Sequence, residues 1–161
     1  MNISKLAVCS LMTALVITLE ISVALLGESF VLLTVLSTIP IYIAVRTSSL
    51  YGVIAYFCTA LLLFFVSPHQ AMFFVCTNGL VGITLGVCRN NGLKSFPTCA
   101  AGAFFLLIGL FVVCIFLGIL QNVLNSFTLI TFCVLFCIFY TLFCNWLLEK
   151  IYSKYMVIRS V

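Results

Sequence analysis

The stretch SPHQAMFFVCTNGLVGITLGVCRNNG, from Ser67 to Gly92, decides the architecture of this chain. It is mostly apolar and long enough to cross a bilayer, since roughly 20 residues of helix span a hydrocarbon core about 30 Å thick. Yet it holds the only histidine of the sequence, His69, and an amide, Asn78, near its middle. Because a polar side chain at that depth needs a partner, the stretch predicts a membrane helix packed closely against others.

The composition extends this prediction to the whole chain. Of the 161 residues, 65% are hydrophobic and only 6% are charged, whereas a soluble domain averages about 25% charged residues. In lipid every backbone amide must be paired within the protein, and uninterrupted apolar runs favour helices over a barrel. The sequence therefore predicts an all-α polytopic membrane protein, with residues 1–161 forming one transmembrane helical domain.

Six apolar runs are candidates for membrane spans. The second and third are short, and the second contains Pro40, so a re-entrant hairpin is an alternative to two full spans. We expect two spans, because only an even total agrees with the charges described next. The predicted helices are about 6–26, 30–45, 50–66, 69–88, 97–120 and 127–148.

The charges support six spans. With six crossings, one side of the membrane receives every basic residue of the chain, and random placement would do this roughly once in 64 trials. Merging the second and third runs would move two of these residues to the opposite side. We therefore expect both termini in the cytoplasm. The basic residues are Lys5, Arg46, Arg89, Lys94, Lys150, Lys154 and Arg159.

Small residues form two ridges at helical spacing. Gly79, Gly82 and Gly86 lie on one side of the fourth predicted helix. Since small residues let helices approach closely in lipid, we expect this ridge to pack inside the bundle.

The second ridge lies on the first predicted helix and consists of Ser10, Ala14 and Thr18, followed by Ser22. Such a ridge packs inside the bundle or docks a partner membrane protein. The residues alone leave both alternatives open.

Glu20 is the one acidic residue inside an outer half of the predicted bundle. It lies six residues from the outer end of the first helix, about 9 Å deep at 1.5 Å per residue, and points about 120° away from Ala14. A carboxylate at that depth is unfavourable unless it is paired, protonated or hydrated. Glu20 is therefore either a protonated group satisfied by a neighbouring carbonyl or hydroxyl, or part of a ligand site.

Three further polar residues are candidates for the same site. Asn78 lies near mid-membrane and either hydrogen-bonds a neighbouring helix or lines a pocket. His69 lies at the outer mouth, but nine residues separate it from Asn78, which places the two on opposite faces of an ideal helix. Both serve one site only if the SPH segment lies off the helix. Asn122 belongs to a polar outer loop with Gln121 and Asn125. This loop either covers a site or faces water.

Several classes of function find no support in the sequence. There is no HExxH motif, no phosphate-binding Walker A motif, and no aspartate at all. The nine cysteines form no CxxC pair and lie mostly inside apolar runs, where free cysteine acts as a small hydrophobe. The basic residues occur singly, unlike a nucleic-acid-binding patch. We expect a protein that is not an enzyme and that binds no metal, cofactor or nucleic acid.

The pattern resembles a known family. The segment SLMTA, Ser10 to Ala14, is similar to the Ala-x-x-x-Ala motif in helix one of the substrate-binding S components of energy-coupling-factor vitamin transporters of prokaryotes. A proline in helix two, a basic cytoplasmic turn and a glycine early in helix three, here Pro40, Arg46 and Gly52, are also similar. The resemblance covers most of the chain.

The resemblance implies a function. It implies a multi-pass protein of the prokaryotic plasma membrane that captures a small vitamin-like molecule from outside. Two ATPase subunits and a transmembrane coupling subunit are the implied partners, with Ser10, Ala14 and Thr18 docking the coupling subunit. The predicted substrate-binding residues are Glu20, His69, Asn78 and Asn122.

The chain departs from this family in one loop, and two other functions stay open. Family members usually cover the substrate with a long outer loop between helices one and two, which here is only LGESF, Leu26 to Phe30. The alternative is a non-transport scaffold of cell-envelope assembly, similar to the rod-shape-determining membrane proteins. A channel or small carrier would need a polar path across the whole bilayer.

Overall fold

The computed structural model of the protein describes residues 3–26, 32–118 and 127–160, and these residues are helical apart from short turns. The all-α polytopic fold expected from the sequence is confirmed, with helices long and apolar enough to cross a membrane. The helices are α1 (Ile3–Leu26), α2 (Leu32–Thr47), α3 (Ser49–Val66), α4 (Pro68–Cys76), α5 (Asn78–Asn90), α6 (Ser95–Phe116) and α7 (Phe127–Ser160).

These helices make six crossings. Four of them, α1, α3, α6 and α7, are each long enough to span a membrane alone, and α4 with α5 forms a fifth span of 23 residues. The shorter α2 has 16 residues, or about 24 Å at 1.5 Å per residue. It is separated from α3 by Ser48 alone, so the second and third predicted spans are two helices joined by a tight turn.

The short helix α2 lies at the centre of the bundle. It packs against α1, α3 and α5 and touches α7. Its segment from Ile41 to Val45 is buried on every side, as expected of a helix that is apolar all round. Because α2 is enclosed by protein, it needs less length than a helix that faces lipid.

The predicted glycine ridge packs inside the bundle, and this prediction is confirmed. Gly82 and Gly86 face α2, whereas Gly79 faces Tyr56 of α3 and Phe74 of α4. A Cβ atom added to Gly82 would lie 3.1 Å from the carbonyl oxygen of Thr38, and one added to Gly86 would lie 2.7 Å from Cγ1 of Val45. From the other side, Gly52 of α3 sits against the backbone of Val45. The helices α3 and α5 therefore approach α2 at distances that only glycine allows.

The fourth predicted helix is broken in its middle, and the prediction of a continuous helix is wrong. The helix stops and restarts at Thr77, whose φ and ψ are −123° and −92°. No proline lies at the break. Instead, the hydroxyl of Tyr56 donates to the carbonyl of Val75 at 3.0 Å, and Gly109 of α6 presses directly on the carbonyl of Cys76. Residues of other helices thus contact the carbonyls of Val75 and Cys76, which in a continuous helix would accept hydrogen bonds from the next turn.

Polar and charged groups gather at one end of the bundle. The Nε atom of Arg89 lies 2.9 Å from Oε1 of Glu149, and the hydroxyl of Tyr42 donates to the same oxygen at 2.8 Å. Arg46 donates to the side-chain oxygen of Asn90 at 3.3 Å. This inner cluster ties α2, α5 and α7 together.

The first helix begins at the same end. The thiol of Cys9 lies 3.8 Å from the carbonyl oxygen of Ala44, two residues before Arg46, so Lys5 is also on this side. Lys94 follows the turn after α5. The last helix, α7, continues past Lys150 to Ser160, whereas the sequence predicted an end near residue 148. By the positive-inside rule this end of the bundle is the cytoplasmic one.

Candidate functional site

A cavity of about 560 Å³ lies in the outer half of the bundle. Residues of α1, α2, α4, α5, α6 and α7 line it, so the whole bundle except α3 contributes. It extends from His69 at the outer end of α4 to Asn78 at the start of α5, about 13.5 Å deeper by helical rise. Its apolar wall consists of Val23, Val35, Phe73, Leu106, Leu110 and Phe136, and its polar groups belong to Glu20, Thr34, His69, Gln70, Thr77, Asn78 and Tyr140.

Glu20 lines this cavity and is otherwise enclosed by protein. Its exposed fraction is 1%, and its Oε1 atom has no hydrogen-bond partner among the described residues. The hydroxyl of Ser37 is within hydrogen-bonding reach of the carboxyl, but it donates its own proton to the carbonyl of Thr34 at 2.6 Å. Ser37 therefore offers Glu20 a lone pair, which suits a protonated carboxyl, and the other carboxyl oxygen is left for a ligand.

Asn78 forms the floor of the cavity together with Tyr140. The hydroxyl of Tyr140 donates to the side-chain oxygen of Asn78 at 2.9 Å, which joins α7 to α5. The hydroxyl of Thr38 lies 3.5 Å from that of Tyr140 and extends the polar cluster to α2. Both alternatives for Asn78 therefore hold, because it hydrogen-bonds a neighbouring helix and also lines a pocket.

His69 lies at the mouth of the same cavity. Its side chain is exposed, and its ring meets the ring of Phe73 edge-on with the centroids 4.8 Å apart. His69 is therefore solvated on one side and fixed by an aromatic contact on the other.

His69 and Asn78 meet in one cavity for a reason that the sequence did not predict. The SPH segment is not an off-helix loop, since Ser67 caps α4 by accepting from the backbone N–H of Gln70 at 3.4 Å. The two side chains share the cavity because the helix breaks at Thr77 between them. The opposite-face argument is valid for a continuous helix and fails here.

The ridge on α1 faces away from the site. Ser10, Ala14 and Thr18 are exposed on the outside of the described bundle, so packing inside the bundle is ruled out for them. The hydroxyls of Ser10 and Thr18 donate to carbonyls of their own helix at 2.9 Å. The ridge therefore presents a smooth surface of small side chains whose polar groups are already paired.

One predicted site residue, Asn122, lies outside the described residues, as do Gln121 and Asn125 of the same loop. Its role as a ligand-binding or lid residue stays a prediction.

Sequence reasoning missed three polar residues of the site, Ser37, Thr38 and Tyr140. The pair Ser37-Thr38 carries a signal, because two adjacent hydroxyls stand three and two residues before Pro40 in an apolar run. Tyr140 carries none, because it lies in a helix rich in aromatic residues and its partner Asn78 is 62 residues away.

The inner half of the bundle closes the cavity from below. A cluster of buried side chains fills the space between α2, α5, α6 and α7 at this level, formed mainly by Tyr42, Val81, Leu85, Leu106, Cys144 and Leu148. This cluster is mainly apolar, and the buried polar side chains of Thr84, Thr141 and Asn145 lie in the same helices.

The side chains of the pocket can hold a small organic molecule. Within the described ranges, no three histidine, cysteine or acidic side chains gather closely enough to hold a metal ion. The pocket offers one carboxyl, several hydroxyls and amides, and an apolar wall, which suits a small organic molecule held by a few polar contacts. Comparison of the chain with protein-family models, with curated proteins and with solved structures finds no match.

Proposed function

We propose that this chain is the substrate-binding membrane subunit of an energy-coupling-factor type transporter in a prokaryotic plasma membrane. It captures a small, vitamin-like molecule from outside, and partner subunits that hydrolyse ATP drive uptake. One observation carries the proposal, namely that Glu20 lines a cavity of about 560 Å³ and that its buried Oε1 atom has no hydrogen-bond partner among the described residues. Ligand pockets in proteins have volumes of about 300–1,000 Å³.

The closed floor supports a binding subunit over a channel or carrier. Transport by the chain alone needs a polar path through both halves of the membrane, whereas the described residues below the floor include an apolar cluster around Val81, Leu85 and Leu148. A subunit that only captures the molecule needs an opening to one side. The release step then falls to the partner subunits.

The cavity also supports this function over a cell-envelope scaffold. A scaffold that acts through protein contacts does not require a ligand-sized outer pocket, and burying Glu20 beside an open volume would be unfavourable without a use. The scaffold stays the alternative function, and it predicts a protein that retains no small molecule.

The exposed ridge on α1 supports the proposed partner. Small residues at four-residue spacing allow a second membrane helix to approach closely, and Ser10, Ala14 and Thr18 face outward. Glu20 lies on the inward side of the same helix. One helix thus carries the proposed docking surface and contributes to the proposed pocket.

Retention of ligand tests the binding function. The protein purified in mild detergent is expected to carry a small molecule that native mass spectrometry detects. Glu20→Gln should reduce its occupancy strongly, because the amide cannot take the charge of a carboxylate. Thr18→Val, on the opposite side of α1, is the matched control and should retain the molecule. A wild-type protein that never carries or binds a small molecule contradicts the proposal.

Cross-linking tests the docking surface. A photo-reactive residue at Ala14 should form an adduct with a membrane protein that co-purifies with ATPase subunits, and Ala14→Leu should abolish that complex while ligand binding survives. Ala100→Leu, an exposed alanine on α6, is the control and should leave the complex intact. Equal loss in both variants argues against a specific ridge.

A further inference from the structure

We infer that the ligand of the outer cavity is a small organic ammonium ion, with its charged nitrogen on Glu20 and an apolar or aromatic body against the opposite wall. This inference rests on the proposed binding function and deepens it by naming the class of ligand. It follows from the hydrogen-bond partners of the pocket, from the charges that face Glu20, and from the shape of the apolar wall.

The hydroxyl protons near Glu20 are already engaged. Ser37 and Thr77 donate to main-chain carbonyls of their own helical segments at 2.6 and 2.5 Å, and Tyr140 donates to Asn78 at 2.9 Å. Since a hydroxyl has a single proton, Thr77 and Tyr140, which line the cavity, present lone pairs to a ligand. Together with Glu20 they place acceptors at the deep end, and these suit a ligand group that carries several N–H donors.

The charges that line the cavity also favour an ammonium ligand. No lysine or arginine lines the cavity, so no described cation balances Glu20. A buried carboxylate becomes favourable only with an opposite charge beside it. An ammonium group supplies that charge and places its N–H donors on the unpartnered Oε1. A carboxylate or phosphate ligand would instead bring a second negative charge to the same place.

The opposite wall fits an apolar body. Phe73 and Phe136 line the cavity with Leu106 and Leu110, and the ring of Phe136 stacks on that of Tyr140 with the centroids 5.9 Å apart. Aromatic faces attract cations as well as apolar groups. His69 and Gln70 place further polar groups at the mouth, where they meet the outer end of the molecule, and the side-chain amide of Asn78 places N–H donors at the floor.

Binding of the ammonium ion releases a proton. The inference requires a neutral carboxyl at Glu20 in the empty pocket, where no described cation accompanies it. The other titratable groups lining the cavity are Tyr140 from α7 and His69 from α4, while α2, α5 and α6 contribute none. Formation of the ion pair transfers the carboxyl proton to outer water, so net charge in the pocket is unchanged and affinity rises with pH.

Three matched probes test the inference on the full-length protein in detergent. Tryptamine, tryptophol and indole-3-propionate share an indole ring and differ in the end group, which is an ammonium, a hydroxyl or a carboxylate. We expect calorimetry to show the tightest binding for tryptamine, with proton release measured from buffers of different ionisation enthalpy. Glu20→Gln should weaken tryptamine binding about 30-fold or more, as when one partner of a buried charge pair is removed, and should alter tryptophol binding far less.

The outcomes separate this inference from the proposed function. Tighter binding of tryptophol or indole-3-propionate, or unchanged tryptamine binding in Glu20→Gln, overturns the ammonium class and leaves a binding protein. Binding of none of the three probes overturns the ammonium inference, and only the further absence of any retained small molecule overturns the proposed function. Thermal unfolding of Glu20→Gln, together with its tryptophol binding, shows that the variant is folded.

Discussion

The hydroxyl of Tyr140 on α7 donates to the side-chain oxygen of Asn78, the first residue of α5, across 2.9 Å. This bond joins α5 and α7 in the outer half of the bundle, as the ion pair of Arg89 and Glu149 does at the inner end, and α6 packs against both helices. It also fixes the first turn of α5 just after the break at Thr77. The floor of the outer cavity therefore depends on one pair of side chains.

Tyr140→Phe removes this bond and leaves the oxygen of Asn78, which is 9% exposed, without its donor. We expect a loss of about 0.5–2 kcal/mol in the free energy of unfolding, the range for such bonds in membranes and in buried sites. Thermal unfolding in detergent measures it. Tyr51→Phe is the control, because Tyr51 makes no described side-chain hydrogen bond, and equal losses in the two variants would contradict the role given to this pair.

Gly109→Ala tests the contact that accompanies the helix break. A Cβ atom at this position overlaps the carbonyl oxygen of Cys76, so α6 must move away from α4. We expect a loss of about 3 kcal/mol, at the upper end for overpacking, together with weaker ligand binding.

Gly102→Ala on the same helix is the matched control. Its added Cβ meets the end of the Leu85 side chain at 3.1 Å, and a flexible side chain adjusts more easily than a carbonyl. If Gly102→Ala is the more harmful of the two, the α6 contact does not hold the break.

Glu149→Gln tests the inner cluster. The variant loses the charge that faces Arg89 but keeps an oxygen that accepts from Tyr42. The side chain of Glu149 is 37% exposed and that of Arg89 is 17% exposed, so water screens the pair and we expect a loss of only about 1 kcal/mol. Lys150→Gln, its exposed neighbour, should change stability by less than about 0.5 kcal/mol. A loss near 4 kcal/mol would instead show that the pair behaves as a fully buried one.

Cysteine labelling tests the orientation. In a background without the nine native cysteines, His69→Cys should react with a membrane-impermeant maleimide added outside intact cells. Lys94→Cys should react only after the membrane is opened, because it lies with the basic residues at the cytoplasmic end. Reaction of both from the same side would remove the outward-facing pocket.

Most of the fold could be predicted from the sequence. The length of the apolar runs and the placement of Arg46, Arg89 and Lys94 on one side were enough to predict six crossings. The spacing of Gly82 and Gly86 was enough to predict close packing inside the bundle. Each of these features is visible in a short segment or in the distribution of charges along the chain, so one sequence is enough to predict them.

The site was only partly predictable, because its key contacts join distant parts of the chain. Glu20 and Asn78 were found because polar groups are unfavourable at such depth. The break at Thr77 was not predicted, because it depends on contacts with Tyr56 and Gly109, which lie in other helices. Without the break, ideal helical geometry places His69 and Asn78 apart.

The tight turn at Ser48 has a consequence for how the protein enters its membrane. A translocon that tests segments one at a time by their hydrophobicity would find α2 a poor substrate, since it is short and carries hydroxyl groups at Ser37 and Thr38. Because Ser48 alone separates it from the strongly apolar α3, we expect the two segments to insert together as a hairpin. The central helix of the finished bundle would then owe its place in the bilayer to the helix synthesised after it.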